Sequence, residues 1–203
     1  MRIRTLGAGR DYGATSTPRS FGDVTVVACT YAAGAHTPRH LHERPYFGLV
    51  LAGAFTEAYA SRRIGVAAGD VAFHPAGESH ATSVQRALRI VRVELGARFT
   101  SEELAPLLDR RADVLEPPAA AAAWRLFDEV RQPDALSPLV VEALALELAA
   151  HALRSSRDRH VPRWLARIRE RLRHEFAMPF SLAEIARDAG VHPGHVARVF
   201  RQH

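Results

Sequence analysis

The first half of the chain alternates short apolar runs with turn residues. Between residues 22 and 95 the apolar runs are VTVVACTYA, YFGLVLAG, AFTEAYAS, DVAFHPAG and ALRIVRVELG. They are rich in β-branched and aromatic residues, and turn residues separate them about every 8–12 positions, as in a sandwich or small barrel. No amphipathic stretch of helix length interrupts them, so the pattern predicts an all-β half rather than a parallel α/β sheet.

The spacing of apolar residues becomes helical at Thr100. Ser101 and the two acidic residues that follow it predict a helix that runs towards Leu115 and ends before a Pro-Pro pair. The alanine-rich segment 119–130 and the segment 139–154 predict two more helices. A helical region therefore follows the β half.

The helix predicted over residues 139–154 carries more apolar surface than one contact needs. One face holds four residues at helical spacing, namely Val140, Leu144, Leu148 and His151. Leu146 lies on another face. The surplus has two interpretations, burial within the chain and packing against a second copy. On the second interpretation the protein is a homodimer.

The last quarter of the chain carries signals for two short helices. The polar segment SSRDRHVP, residues 155–162, predicts a linker before them. Ser181-Leu182-Ala183-Glu184 has the pattern of a capping box, in which the serine and the glutamate satisfy N–H groups at a helix start. Gly190 predicts a tight turn, and His192-Pro193 predicts the next helix start. This arrangement predicts a helix-turn-helix, whose second helix can enter a major groove.

Positive charge is concentrated in this last quarter. The 203 residues carry a net charge of +5, and all 27 basic residues are Arg. Residues 1–150 hold 16 Arg and 17 acidic residues, whereas residues 151–203 hold 11 Arg and 5 acidic residues. A neutral body joined to a basic module indicates a sensing or catalytic part attached to a part that contacts phosphate. The alternative is a basic helix face that contacts only solvent.

Composition excludes several other classes of protein. The chain is 47% hydrophobic and 24% charged, which is typical of a globular protein. No run approaches the roughly 18 apolar residues that a membrane span needs, and the N-terminus lacks the apolar core of a signal peptide. The single cysteine, Cys29, excludes an internal disulfide and a multi-cysteine zinc site. We therefore expect a cytoplasmic protein with no membrane partner.

The string SLAEIARDAGVHPGHVARVFRQH resembles the first helix-turn-helix of AraC-type transcriptional regulators, and LARIRERLRHEFAMPF resembles the helix that precedes it. By position, the resemblance implies a double-stranded DNA partner and five residues at the DNA: Gly194, His195, Ala197, Arg198 and Arg201. Arg198 would read a base edge, with His195 as an additional contact, and Arg201 would contact phosphate. These regulators carry a second helix-turn-helix, so we expect a fragment truncated within its DNA-binding domain.

Two further motifs lie in the β half. Their residues are Gly34, His40, His42 and Gly53, spaced G-x5-H-x-H-x10-G, and Gly69, Pro75, Gly77 and His80, spaced G-x5-P-x-G-x2-H. Alternate residues of a strand face the same side, so both imidazoles of H-x-H enter a barrel, where a third can converge on them. The spacings resemble the two motifs of cupins. The resemblance implies an α+β chain, with an N-terminal cupin-like β-barrel followed by helices and a partial helix-turn-helix domain.

The cupin resemblance also implies a ligand site inside the barrel. His40, His42 and His80 are the candidate ligands of one divalent metal, zinc or another, and Tyr46 stands where the family usually has a glutamate ligand. The alternative is a metal-free pocket in which the same histidines, with Arg44 and Tyr46, contact a small effector. Arg44 would then pair with an anionic effector.

Together these patterns predict three segments: a cupin-like sensor domain over 1–98, a helical dimerisation or linker segment over 99–156, and the first helix-turn-helix over 160–203. The predicted function is that of a ligand-responsive, DNA-binding regulator of the AraC type, and not an enzyme. The alternative is a metal-dependent cupin enzyme, a dioxygenase or isomerase, against which the missing glutamate counts. His36 and His74 are expected in loops or on the opposite face of the barrel.

Overall fold

The computed structural model describes residues 3–100, 104–158 and 181–189, together with the single residues Ile168, Pro193 and Val196. The chain forms two compact units, Met1–Ser155 and Ser156–His203. The first unit contains every strand of the described residues and the helices that pack on them.

The first unit is built on ten strands within the described part of the chain. They are β1 Arg4–Leu6, β2 Ala14–Thr15, β3 Arg19–Phe21, β4 Val24–Tyr31, β5 His40–His42, β6 Tyr46–Ala58, β7 Arg63–Ala67, β8 Val71–His74, β9 Ala81–Leu95 and β10 Asp113–Val114. Eight of them form an antiparallel sheet in the order β10-β8-β6-β9-β4-β2, with β3 paired to β4 and β7 to β6. β1 and β5 form a separate parallel pair. The order has two ends, so strand pairing leaves an open sheet where the sequence predicts a barrel.

The central strands are longer than the apolar runs predict. YFGLVLAG and AFTEAYAS are expected as two strands, but both contribute to β6, which pairs along most of its length with β9. Gly53 lies between the two runs with a φ of 91°, and a Cβ there would collide with the carbonyl oxygen of Ala87. The register of β6 against β9 shifts between Val50 and Phe55. Gly53 therefore belongs to an irregularity within one strand, not to a turn between two.

Alternation along the central strands gives the sheet two different faces. Phe47, Phe73 and Val93 belong to the apolar core that includes the helices. Their neighbours in sequence, among them His74 and Arg92, are also buried, but they project to the opposite side of the sheet. One face of the sheet thus contacts helices, and the other carries buried polar groups beside a second apolar cluster.

The helices of the first unit follow the strands. A short 3₁₀ helix spans Ala97–Thr100, α1 spans Ala105–Leu108, α2 spans Pro117–Arg131 and α3 spans Ser137–Asp158. The two helices predicted over residues 119–130 and 139–154 are confirmed as α2 and α3. The first four residues of the predicted linker, 155–158, are helical, since α3 continues to Asp158, and residues 159–162 lie outside the described residues.

The helix predicted from Ser101 towards Leu115 is confirmed only over Ala105–Leu108, as α1, and is wrong from there to Leu115. β10 follows α1 and pairs with β8 at the edge of the sheet. The backbone N–H of Leu115 also donates to the carbonyl of Val71 at 2.8 Å. These hydrogen bonds to the exposed edge of β8 compete with helix formation, and a window of apolar spacing does not reveal them.

Only part of the apolar surface of α3 is buried. Val141, Leu144, Leu148 and Ala152 are in the core, as expected for a helix that covers a sheet. Leu139 and Leu146 are exposed, at 71% and 43%, and Val140, which the sequence places on the buried face, is 36% exposed. The surplus of apolar surface noted in the sequence is therefore present on the first unit.

The second unit contains α4, Leu182–Ala189. Its start is the predicted capping box: the N–H of Glu184 donates to Ser181 Oγ at 3.1 Å, and the N–H of Ser181 donates to Glu184 Oε2 at 2.8 Å. The predicted DNA contacts Gly194, His195, Ala197, Arg198 and Arg201 lie outside the described residues.

In the described part of the chain, no helix has both the length and the apolar character needed to cross a membrane.

Candidate functional site

A small cavity lies on the side of the sheet that carries the buried polar groups. The polar side chains that line it include Asp11, His40, His42, Glu57, His80 and Arg92. Its volume is about 30 Å³, which is room for one or two groups of the size of water. The cavity can hold an ion with a water or a very small molecule, and a larger ligand requires lining side chains to move.

His40 and His80 meet through their backbones. Each donates its N–H to the carbonyl of the other at 2.8 Å, and this bridge brings their ring centroids to 4.4 Å. His40 Nδ1 lies 2.8 Å from the carbonyl of Pro38, and His80 Nδ1 lies 3.2 Å from the carbonyl of Glu78. Because a carbonyl only accepts, both rings donate through Nδ1 and keep a lone pair on Nε2. Burial lowers the pKa of both side chains, that of His80 to about 4, so both are neutral at neutral pH.

His42 is oriented differently, because it lies against a buried arginine. Arg92 Nη1 is 3.3 Å from His42 Nδ1. A guanidinium only donates, so His42 Nδ1 must accept, and the proton of the neutral ring is then on Nε2. Burial and the charge of Arg92 hold the pKa of His42 far below its ordinary value. His42 therefore presents an N–H, not a lone pair, at Nε2.

Arg92 is part of a buried charge cluster. Its guanidinium pairs with Asp11 Oδ2 at 3.0 Å and with Glu94 Oε1 at 2.7 Å, and it donates to the carbonyl of Arg10 at 3.0 Å. Burial alone would lower the pKa of Arg92, but the charge of Asp11 opposes this and the pKa is raised. Glu94 Oε2 also accepts the N–H of Gly9 at 2.8 Å. The cluster thus ties residues 9–11 to the sheet beside the cavity.

A second polar group lies next to His80, and the sequence does not predict it. Glu57 and His74 are both buried, with Glu57 Oε1 at 3.7 Å from His80 Nε2 and Glu57 Oε2 at 3.4 Å from His74 Nδ1. The Tyr59 hydroxyl donates to Glu57 Oε2 at 2.5 Å. Burial raises the pKa of Glu57 to about 8, so without a nearby cation its carboxyl is mostly neutral at pH 7. His74, expected in a loop or on the opposite face, is instead part of this buried group.

Strand alternation does not predict that Glu57 faces the cavity, because the irregularity around Gly53 changes which residues of β6 face it. Before it, the even-numbered residue Tyr46 lines the cavity, whereas after it the odd-numbered residues Phe55 and Glu57 do. A strict alternation carried from Tyr46 therefore assigns Glu57 to the wrong face. The available signal is Gly53, since an isolated glycine in a strand often marks a bulge.

The remaining predicted residues take up different environments. Tyr46 lines the cavity, and its ring stacks on His74 with centroids 4.3 Å apart. Arg44 follows β5 in a bend, is half-buried and is not among the residues that line the cavity. Arg92 is the cation there. His36 is exposed and hydrogen-bonds Ser83 Oγ, in keeping with the predicted loop position.

Among the residues that the structure describes, two sets of three side chains have the spacing of metal ligands. One is the predicted set, His40, His42 and His80, and the other is Glu57, His74 and His80. In each set, one ligand atom from every residue lies within 4.8 Å of the other two. In the first set, His40 and His80 fit a metal through their free Nε2 lone pairs, but His42 does not, because Arg92 fixes the opposite tautomer.

Comparison with known proteins assigns the β half. Residues 27–91 match the model of the Cupin domain, so this part of the chain is a cupin domain, as its two motifs predict. No curated protein matches the sequence significantly.

Several solved structures are similar to this one. The AraC-like transcriptional activator CuxR is 13% identical, with a TM-score of 0.52, over 91% of this chain and 72% of that chain. A variant of oxalate decarboxylase from Bacillus subtilis is 18% identical, with a TM-score of 0.35, over 40% of this chain and 23% of that chain. KdgF from Halomonas sp. is 23% identical, with a TM-score of 0.34, over 37% of this chain and 72% of that chain. At these identities the likeness concerns the fold alone.

The sequence-based expectation that the protein is not an enzyme is overturned. Residues 27–91 match a cupin domain, a fold that is compatible with catalysis, so the expectation that the protein lacks enzymatic activity has no support. The reason behind the expectation also fails. The usual glutamate is absent at Tyr46, but Glu57 brings a buried carboxyl to the cavity from a later position on the same strand.

Proposed function

We propose that this chain is a ligand-responsive transcription regulator, in which the cupin domain binds a small effector and the C-terminal unit binds double-stranded DNA. The main support is the fold. The similarity to the AraC-like activator CuxR extends over 91% of the chain, well beyond the cupin domain. The capped helix α4 and the arginine-rich last quarter of the sequence agree with a DNA-binding module.

The effector site would be the cavity around His40, His42, His80 and Tyr46. The lining histidines are neutral, and the single positive charge of Arg92 is paired with two carboxylates, Asp11 and Glu94, so negative charge is in excess beside the cavity. This excess favours a small neutral polar effector over an anion. The predicted pairing of Arg44 with an anionic effector would require Arg44 to move towards the cavity.

The sheet offers a route from the cavity to the helices. β6 and β9 have polar cavity residues on one face and apolar residues packed with α2 and α3 on the other. The helices are also tied to the sheet side by polar contacts: Arg19 Nη1 donates to the carbonyl of Val130 at 2.6 Å, and Glu142 Oε1 accepts the N–H of Asp23 at 2.9 Å. An effector changes the helices only if it binds two arrangements of this wall with different affinity.

Dimerisation through α3 belongs to the same proposal. The exposed residues Leu136, Leu139, Val140 and Leu146 recur at helical spacing. Covering them with a second copy would bury apolar surface and would place two DNA-binding units on one assembly, as palindromic sites require.

DNA binding is tested by selection from random double-stranded DNA, followed by titration of the selected sequence by fluorescence anisotropy. We expect sequence-dependent binding that weakens as salt rises. Arg198→Ala should cost about 1–3 kcal/mol on the selected sequence. Arg131→Ala is the control, because it removes the same charge from an exposed position on α2. Equal effects of the two variants, or no selected sequence, would contradict the proposal.

A metal-dependent cupin enzyme, a dioxygenase or isomerase, is the second candidate, and the buried carboxyl of Glu57 is the observation that favours it. Carboxylate and imidazole ligands with open positions suit a metal that activates a small substrate. Protein loaded with iron or manganese should then consume oxygen or isomerise a small substrate. Glu57→Gln should abolish this activity, and if the loaded protein is inactive on a broad panel of small substrates, this candidate fails.

A further inference from the structure

We propose that a divalent transition metal binds Glu57, His74 and His80, not the three histidines His40, His42 and His80 that the cupin motifs indicate. The proposed site is on the Glu57 side of His80. It goes beyond the proposed regulatory function, because it requires neither DNA binding nor an effector.

The first step of the argument concerns His42. Its Nδ1 lies 3.3 Å from Arg92 Nη1, which can only donate. To bind a metal through Nε2, His42 would need its proton on Nδ1, where it would oppose an N–H of the guanidinium. Arg92 is held in place by Asp11 and Glu94 at 3.0 and 2.7 Å, so it cannot turn away without breaking two buried ion pairs. A metal at His42 would also have a buried cation beside it.

The second step concerns the free ligand atoms of the other set. His80 donates through Nδ1 to the carbonyl of Glu78, which leaves the lone pair of Nε2 directed at Glu57 Oε1, 3.7 Å away. Glu57 Oε2 accepts the Tyr59 hydroxyl, whereas Oε1 is turned towards His80. Each of the two residues therefore has one atom already held by a neighbour and one atom available as a ligand.

His74 supplies the third ligand. Its Nδ1 lies 3.3 Å from the Tyr59 hydroxyl oxygen and 3.4 Å from Glu57 Oε2, both of which can accept its proton. Its Nε2 is buried and has no hydrogen-bond partner, although the side chain is only 2% exposed. An unpaired buried nitrogen is costly, and a metal ion is one means of satisfying it. The Tyr46 ring stacked on His74 fixes the plane of the imidazole.

The spacing and chemistry of the three residues fit a transition metal. One possible ligand atom from each residue lies within 4.8 Å of those of the other two, and the His74 nitrogen that contacts Glu57 is Nδ1. Ligands at about 2.0–2.2 Å from one ion are roughly 3–4 Å apart, so the site closes when the side chains shift and His74 brings its Nε2 to the ion. Glu57 supplies a negative charge that a set of three histidines lacks. Two imidazoles and one carboxylate suit Fe²⁺, Mn²⁺ or Zn²⁺ and leave positions open for water. The Tyr59 hydroxyl and the Glu78 carbonyl orient the ligands from behind.

The test is Co²⁺ binding by the full chain, because Co²⁺ reports its ligands through visible absorption and can be competed by Zn²⁺. We expect one ion per chain. Glu57→Gln and His74→Ala should each weaken binding by about 10-fold or more and change the absorption spectrum. His42→Ala is the matched control, a histidine equally buried beside the same cavity, and it should bind within about threefold of the unmodified chain.

Folding is controlled separately. Circular dichroism of each metal-free variant shows whether it is folded. Glu57→Gln removes the charge but preserves the shape of the side chain, so we expect it to disturb the fold least. If His74→Ala does not fold, His74→Asn replaces it. The proposal is overturned if no ion binds to the unmodified chain, if His42→Ala weakens binding as much as Glu57→Gln, or if Glu57→Gln binds unchanged. DNA binding by the same preparations reports on the regulatory proposal independently.

Discussion

Replacing Arg92 by Met should destabilise the first unit more than any exposed charge change. The substitution keeps an unbranched apolar chain along the sheet but removes the guanidinium. Asp11 and Glu94 then keep their negative charges in a site where their side chains are only 6% and 3% exposed. The carbonyl of Arg10 also loses its donor.

The magnitude follows from this burial. Removing one partner of a buried ion pair costs roughly 3–5 kcal/mol, because the charge left behind is neither hydrated nor paired. Here two carboxylates lose one cation, so we expect a loss at the upper end of that range. Against a total stability of about 5–15 kcal/mol this is a large fraction. For a unit of this size, about 2–4 °C per kcal/mol gives a fall in melting temperature of about 10–20 °C.

Urea unfolding followed by far-ultraviolet circular dichroism measures the loss. Arg98→Met is the matched control, since Arg98 pairs with Glu142 at 2.8 Å but is 70% exposed, and its loss should cost less than about 1 kcal/mol. Arg92→Met combined with Glu94→Gln should recover part of the stability, because one of the stranded charges is removed with the cation. A loss below about 1 kcal/mol in Arg92→Met would refute the view that this cluster holds the N-terminal segment on the sheet.

Three further outcomes test other parts of the structure. Burial lowers the pKa of His80 from 6.5 to about 4, so between these pH values the unfolded chain binds a proton that the folded, metal-free protein does not. Urea titrations should therefore show that the free energy of unfolding falls by roughly 3 kcal/mol from this group as the pH falls from 6.5 to 4. A free energy of unfolding that stays constant over this range would contradict the prediction. Gly53→Ala should lower the free energy of unfolding by about 2 kcal/mol or more, because φ is 91° and a Cβ would collide with Ala87. Gly65 has open space around it, so Gly65→Ala should lower it by less than about 1 kcal/mol in the same titration. The proposed dimerisation through α3 predicts that Leu139→Glu leaves stability within about 0.5 kcal/mol but halves the mass measured by light scattering. An unchanged mass would contradict that part of the proposal.

Local alternation was sufficient to predict part of the site. His40 and His42 lie two apart on β5, and both are buried beside the cavity. His80 joins them through a backbone bridge to His40, a long-range pairing that the second cupin motif, not alternation, indicates. Glu57 and His74 needed knowledge of register. The face of Glu57 depends on the irregularity around Gly53, which pairing with β9 determines.

The sequence predicts that an arginine lies beside the histidines, but it indicates Arg44 where the structure has Arg92. Strict alternation continued from His42 selects Arg44, but β5 ends at His42 and the chain bends. Arg92 and Glu94 stood in the sequence as opposite charges two residues apart within an apolar strand. On a strand such residues share a face, and this spacing is the signal for their buried pair that the sequence analysis missed. Asp11 could not be assigned, because a loop brings it to Arg92 from 81 positions away in the sequence.

Residues of the candidate site and residues of the helix-packed core lie on the same strands, and that arrangement constrains the proposed signalling mechanism. On β8, His74 belongs to the polar group at the cavity side, and the adjacent Phe73 is fully buried in the core shared with α2 and α3. An ion that draws His74 and Glu57 together would pull on this strand. Close-packed interiors transmit strain of this kind. Metal binding at Glu57, His74 and His80 would therefore bear directly on the packing of the helices, and an effector in the neighbouring cavity would act on the same wall through Arg92.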